Sequence, residues 1–163
     1  VITTAEFTET LAHFATGVTV VTVADGRDDI GSTITAVASI SAEPPLVMVS
    51  VRSDSYLAEV IDRQGTFAVN VLSARQKAVA GRFAAAGRPS ARLLLASEPH
   101  QRGEHSGALV LTAAVAALEC EVAQRVVAGD HTVYFASVTA LPRVSGAADG
   151  PLLRYGSRYR TLG

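Results

Sequence analysis

Val18-Thr19-Val20-Val21-Thr22-Val23-Ala24-Asp25-Gly26, followed from Ile30 to Ser41 by a second run of small and β-branched residues, decides how this chain is organised. The β-branched side chains from Val18 to Val23 suit a pleated strand better than a helix. Asp25-Gly26 has the chemistry of a tight turn, so the two runs predict a β-hairpin. Further strands are expected from Leu46 to Val51 after Pro44-Pro45, and from Thr66 to Leu72. Beyond these lie two long strands, about Val110 to Val127 and His131 to Leu141, joined by Ala128-Gly129-Asp130, and a last segment from Leu152 to Arg160.

Helices are inserted among these strands and do not alternate with them. Thr3-Thr4-Ala5-Glu6 has the form of a capping box and opens a short helix with Phe7, Leu11 and Phe14 at i, i+4 and i+7, expected to end near Gly17. Ser53-Asp54-Ser55 offers three N-caps for a helix carrying Leu57, Val60 and Ile61 and closed by Gly65. Ser73 and Gln76 suggest a second capping box, before a helix with Val79, Phe83 and Ala86 on one side that Gly87 and Pro89 stop. The fold class expected is mainly β: an antiparallel barrel with peripheral α-helices, in preference to a doubly wound parallel sheet. From Arg88 to Gly107 there is no clear period, and the segment reads as a lid, a partner-covered stretch or a mobile excursion.

At 163 residues the chain is the size of one domain, 1–163. Fourteen basic residues against fifteen acidic, with no long run of either sign, lack the electrostatic footprint of a nucleic-acid binder. No window approaches the ~20 uncharged apolar residues that span a bilayer, so no membrane association is expected. A lone Cys120 forms no internal disulfide, and with no signal segment at its start the chain reads as cytoplasmic. A hydrophobic fraction of 48% and a mean hydropathy of +0.29 suggest apolar surface covered by a second subunit.

Several residues are candidates for binding. Read as one strand, Ile30 to Ser41 places Thr33, Thr35, Ser39 and Ser41 on one face, and Thr33 to Ser39 would span about 20 Å. Such a hydroxyl ladder fits either an extended ligand or a solvated sheet face. Ser53-Asp54-Ser55 fits either simple capping or an anion held at a helix N-terminus. Arg82 is either a solvated charge or a bidentate phosphate ligand. His131, at the mouth of a hairpin after Gly129-Asp130, is either an exposed loop histidine or a contact to a nucleotide. His13, His100, His105 and Cys120 show no metal-ligand spacing, so no metal site is expected. There is no Gly-x-Gly-x-x-Gly, P-loop or Gly-x-Ser-x-Gly pattern, which disfavours a Rossmann-type nucleotide site and hydrolysis.

Five segments occur together in order: Phe14-Ala15-Thr16-Gly17-Val18-Thr19-Val20-Val21-Thr22, Ser39 to Leu46, Phe67-Ala68-Val69-Asn70-Val71-Leu72, Leu118-Glu119-Cys120 and Gly129-Asp130-His131. In this the chain resembles the flavin reductase family, and more narrowly the small reductase components of two-component flavin-dependent monooxygenases, which have the FMN-binding split-barrel fold. Tyr155-Gly156-Ser157-Arg158-Tyr159 is similar to the family's C-terminal pattern.

The resemblance implies hydride transfer from NADH or NADPH to FMN or FAD, a homodimer with the flavin site near its interface, and a separate monooxygenase that receives reduced flavin. It implies that Thr33, Thr35, Ala36 and Ser39 line the flavin with Ser41 nearby, that Ser55 and Arg82 meet its phosphate, and that Arg52 and Ser53 continue that site. Thr16, Gly17 and Val18 would border the pocket. His131 and Tyr155 would face the nicotinamide nucleotide, His131 positioning it without an acid–base role. Thr35 stands where the family often has Asn, Ala113 and Ala117 stand where Gly and an aromatic are common, and Arg88 to Gly107 matches least. Two other readings are a split-barrel electron-transfer or storage protein that does not turn over NAD(P)H, and an enzyme that keeps its flavin as a fixed prosthetic group.

Overall fold

A computed structural model describes residues 1–85 and 90–163. In chain order its elements are α1 (Thr4–Leu11), β1 (Thr16–Gly17), β2 (Thr19–Asp25), β3 (Asp28–Ile34), β4 (Val37–Ala42), β5 (Pro45–Arg52), α2 (Tyr56–Gln64) and β6 (Thr66–Val71). There follow α3 (Lys77–Ala84), α4 (Ala91–Leu94), β7 (His100–Arg102), β8 (Leu109–Leu111), β9 (Ala116–Ala128), β10 (His131–Ala140), β11 (Leu152–Tyr155) and β12 (Arg158–Thr161). Seven strands form one antiparallel sheet in the order β3-β2-β6-β9-β10-β5-β4. The mainly β, antiparallel reading therefore holds.

The opening stretch is β-branched from Val18 to Val23, with both of its threonines buried, because β2 is buried on both faces. Val21 and Val23 point into a core shared with Val49, Val51, Phe67, Val69, Cys120 and Tyr134, to which each central strand gives one face and which α2 covers with Leu57, Val60 and Ile61. Val18 and Val20 point the other way, into a second core with Leu72, Val79, Phe83 and Leu111 under α3 and α4. The predicted hairpin forms with the two-residue turn Gly26-Arg27, and Gly26 takes φ 61°, a conformation glycine adopts at low cost.

One expectation is overturned. Ile30 to Ser41 is not a single strand: β3 ends at Ile34, and β4 begins at Val37 on the opposite edge of the sheet order. Between them Thr35-Ala36 carries the chain from one edge to the other, with Val37 N–H donating to the Thr35 carbonyl and Ser50 N–H to the Ala36 carbonyl. The crossing residues are as strand-compatible as their neighbours, with no Gly or Pro to mark a break. The alternation therefore reads straight through the corner.

Other boundaries also move. The first capping box is present, but α1 ends at Leu11, and Thr16-Gly17 instead pairs with β11. The second box is half formed. Gln76 Oε1 accepts from Ser73 N–H at 2.9 Å, but the buried Ser73 hydroxyl has no partner among the described residues, and α3 starts at Lys77. The proposed helix position Ala86, the stops Gly87 and Pro89, and Arg88 lie outside the described residues.

The expected irregular segment, over its described residues, carries regular secondary structure. It contains α4 and β7, which pairs with β8 just beyond it, and buries Ala91 and Leu95. Buried Asp29, at the start of β3, anchors it through Arg92 at 3.1 Å and Arg102 at 2.8 Å. Val110 to Val127 divides into β8 and β9. The last segment is a hairpin, β11–β12, turning at Gly156-Ser157. Among the described residues no helix is long and apolar enough to cross a membrane, and no cluster of His, Cys, Asp or Glu could hold a metal ion.

Candidate flavin and nucleotide site

Two clefts meet at the Thr35-Ala36 corner. The first, of about 360 Å³, is the more polar: β3 supplies Thr33 to its wall, β5 supplies Ser50 and Arg52, the start of α2 supplies Ser55, and the start of β10 supplies His131. The second, of about 670 Å³, is more apolar and is lined by Leu11, Phe14, Thr16, Gly17, Met48 and Val71. Thr35 and Ala36 line both. The corner carbonyls are already engaged by Val37 and Ser50 N–H, so the corner serves both clefts as a shared wall.

The polar end is built on a helix start. Ser55 is the N-cap of α2, its hydroxyl accepting from Ala58 N–H at 3.1 Å and donating to the Arg52 carbonyl at 2.7 Å. The amides of Tyr56 and Leu57 have no intrahelical partner and carry the positive end of the helix dipole. Gly65 closes α2 at φ 73°, with its N–H on the Ile61 carbonyl.

The hairpin β9–β10 turns through Gly129-Asp130, with Gly129 at φ 60°, and sets His131 opposite Arg52 of β5. His131 Nδ1 lies 2.8 Å from Asp130 Oδ1. A carboxylate only accepts, so Nδ1 carries the proton and Nε2 is left for a second contact. Arg52 bonds Asp54 through Nε and Nη2 at 3.1 and 3.0 Å, and its Nη1 is 3.9 Å from Asp130 Oδ2. The His131 hydrogen bond holds the Asp130 carboxyl below its usual range, Arg52 does the same to Asp54, and Asp54 in turn raises Arg52. Ser53 braces this corner, its N–H on the Asp130 carbonyl and its hydroxyl 2.8 Å from that of Thr132.

Of the residues expected at a site, Thr33, Thr35, Ala36, Arg52, Ser55 and His131 come together in the polar cleft. Thr16 and Gly17 line the apolar one. The Thr33 hydroxyl already donates to the Ala80 carbonyl at 2.7 Å, which ties β3 to α3. Ser39 and Ser41 lie further along β4 than Val37, which lines the second cleft, and themselves line neither. Val18 is fully buried in the second core. Arg82 is exposed on α3 and lines neither cleft. Tyr155 lines neither cleft and lies edge-on to His13 with ring centroids 6.3 Å apart, where Gly156 N–H bonds the Ala12 carbonyl.

Sequence reasoning missed Ser50, Met48 and Phe14 as lining residues. Ser50 had a signal, as the one hydroxyl in the apolar run Leu46 to Val51. The i, i+4, i+7 spacing places Phe14 on a helix face, but α1 ends at Leu11 and Phe14 lines the cleft.

The flavin reductase like domain model matches residues 11–163. An NADH-dependent FMN reductase of Streptomyces nodosus subsp. asukaensis is 38% identical over 159 residues, covering 96% of this chain and 84% of that protein. The reductase component of 4-hydroxyphenylacetate 3-monooxygenase from Thermus thermophilus is 38% identical over 157 residues, covering 96% and 95%. Among solved structures, the NADH:FAD oxidoreductase of Streptomyces globisporus, also solved in complex with NAD and FAD fragments, superposes with a TM-score of 0.89 at 33% identity, covering 98% of this chain and, for the first structure, 93% of that one. With the split corner, the paired clefts and a match over nearly its whole length, the chain belongs to the flavin reductase family.

Proposed function

We propose that this chain is an NADH-dependent flavin reductase that takes hydride from the nicotinamide, passes it to FMN or FAD, and supplies reduced flavin to a separate monooxygenase. The observation that carries this is the junction of a polar and an apolar cleft at Thr35-Ala36. A flavin mononucleotide has the same two-ended character, a ring at one end and a phosphate at the other. The donor set fits it: Ser55, the first-turn amides of α2 and Arg52 suit the phosphate end, and Phe14, Met48 and Val71 suit the ring. Thr16 and Gly17 border that ring site.

Bound flavin supplies the hydride-accepting chemistry, and the chain need only orient the two rings and exclude water. His131 positions the nicotinamide nucleotide through Nε2, with its tautomer held by Asp130. No residue is required as a general base. Residues 1–163 act as one reductase domain in the cytoplasm. α1 buries none of its residues and exposes Phe7 and Leu11, while Phe14 beyond it is 70% exposed. A second copy of the chain covers this face and closes the apolar cleft.

The test is an activity matrix of NADH and NADPH against FMN and FAD. NADH oxidation with at least one flavin, and exchange of that flavin during gel filtration, are expected. No turnover with either flavin removes the reductase reading in favour of a binding protein, and a flavin that never exchanges favours a fixed prosthetic group.

A further inference from the structure

We propose that Asp54 competes with the flavin phosphate for the Arg52 guanidinium and thereby sets how readily the flavin leaves. The inference rests on the assignment of the polar cleft to the phosphate end. Arg52 lines that cleft and Asp54 does not. Nε and Nη2 of Arg52, the paired donors that recognise a phosphate bidentately, are both directed to Asp54, and Nη1 is approached by Asp130. A phosphate that uses this fork must first displace a carboxylate.

Asp54 has no other evident task. Ser55, not Asp54, caps α2, and among the described residues the Asp54 side chain, 73% exposed, has Arg52 as its side-chain hydrogen-bond partner. The charges at the cleft mouth point the same way. Arg52 is opposed by two carboxylates, Asp54 and Asp130, so these three side chains together carry a net charge of about −1 at neutral pH. A site built only to retain a phosphorylated ligand would hold an excess of positive charge. Here the helix start attracts the phosphate while Asp54 and Asp130 limit the hold on it. That balance suits a flavin that is consumed and released in each cycle, since affinity within one site is adjusted chiefly through the dissociation rate.

The experiment compares FMN with riboflavin, which differ only in the phosphate, by equilibrium binding to the full chain and by stopped-flow dissociation. Asp54→Asn is nearly isosteric, and an unchanged melting temperature checks that it folds. Removing the competitor and its charge is expected to tighten FMN binding about five- to twentyfold, within what an exposed ion pair and a nearby charge supply. FMN dissociation slows by a similar factor, and riboflavin binding changes less than about twofold. In an Arg52→Ala background the gain should shrink to about two- to threefold, the part due to charge alone.

Asp54→Asn that leaves FMN affinity within twofold of wild type, or that shifts FMN and riboflavin equally, overturns the proposal while the site assignment stands. A wild-type protein that binds FMN and riboflavin equally, and is indifferent to Arg52→Ala, overturns both. Asp54→Ser serves as the second variant if Asp54→Asn is unstable.

Discussion

Two sets of polar residues lie on the same β-barrel in opposite circumstances. On the wall between β6 and β8, Asn70 is fully buried. Its Nδ2 donates to the Val20 carbonyl at 3.0 Å and lies 3.4 Å from both Thr22 Oγ1 and the Leu109 carbonyl, while its Oδ1 accepts from Leu111 N–H at 2.9 Å. At the cleft rim, the Arg52, Asp54, Asp130 and His131 side chains are between 40% and 76% exposed and bond mainly to one another. Both sets are satisfied, but only the first is satisfied without water. Burial makes the wall residues worth stability, because a group left unpaired there loses its solvation as well as its partner. Exposure makes the rim residues worth little to the fold and leaves them available to a ligand.

The largest effect is therefore expected on the wall. Asn70→Ala removes the donor that joins β6 to β2 and β8, and strands the Leu111 amide. The expected loss is about 3 kcal/mol, from two or more buried hydrogen bonds and one orphaned donor. In a domain of this size it corresponds to a melting temperature lower by roughly 6–12 °C. A change under about 2 °C would show that water or a rearranged strand takes over these bonds, and would remove the distinction between wall and rim.

This contrast also explains what the sequence makes legible. Val18 to Val23 is readable because burial on both faces leaves only apolar and β-branched choices, and the turn at Gly26 is marked by its glycine. Asn70 is present in the sequence but its role is not, since its partners on β2 and β8 are 39 to 50 residues away in the chain. At the site, His131 and Ser55 are readable because local chemistry marks them, a Gly-Asp turn and a helix cap. The corner at Thr35-Ala36 is not, because closing the sheet edges is a long-range requirement that small strand-compatible residues meet without a visible break. The alternation that groups Ser39 and Ser41 with Thr33 is real in sequence and interrupted in space.

A middle effect is expected where a buried hydroxyl reaches an exposed pair. Tyr134 is 1% exposed, and its hydroxyl contacts the Ala58 carbonyl at 3.1 Å and donates to Asp62 Oδ1 at 2.8 Å, beside Arg125. Tyr134→Phe should cost about 1 kcal/mol at neutral pH, the ordinary net worth of such a bond. Burial, then the neighbouring Asp62, push the phenol up to about 12 in the fold, against about 10 in the unfolded chain. A raised value means that the fold favours the neutral phenol. Its contribution is full below about pH 10 and is lost as the pH rises through about 12. Denaturation curves of wild type and Tyr134→Phe should therefore converge across that window. Cys120, raised to about 12 by burial, titrates in both proteins and cancels from the difference. Curves that stay parallel would place Tyr134 with the rim and not the wall.

The smallest effect on the fold is expected from His131, and it sharpens the comparison most. Its ring is 40% exposed and its described polar contact is with its neighbour Asp130, so His131→Ala should change stability by less than about 0.5 kcal/mol. If Nε2 contacts the nicotinamide nucleotide, the same substitution removes one hydrogen bond from the complex. It should then raise the Michaelis constant for NADH about tenfold, roughly 1.4 kcal/mol, with FMN affinity and the melting temperature almost unchanged. Asp130→Asn should fall in the same direction by a smaller factor, because an amide can still accept from Nδ1 through its oxygen but, uncharged, holds the ring less firmly. A His131→Ala protein with an unaltered Michaelis constant and turnover would take His131 out of the site. One that loses several kcal/mol of stability would mean that a rim side chain can support the fold as a wall side chain does, and exposure would no longer separate the two.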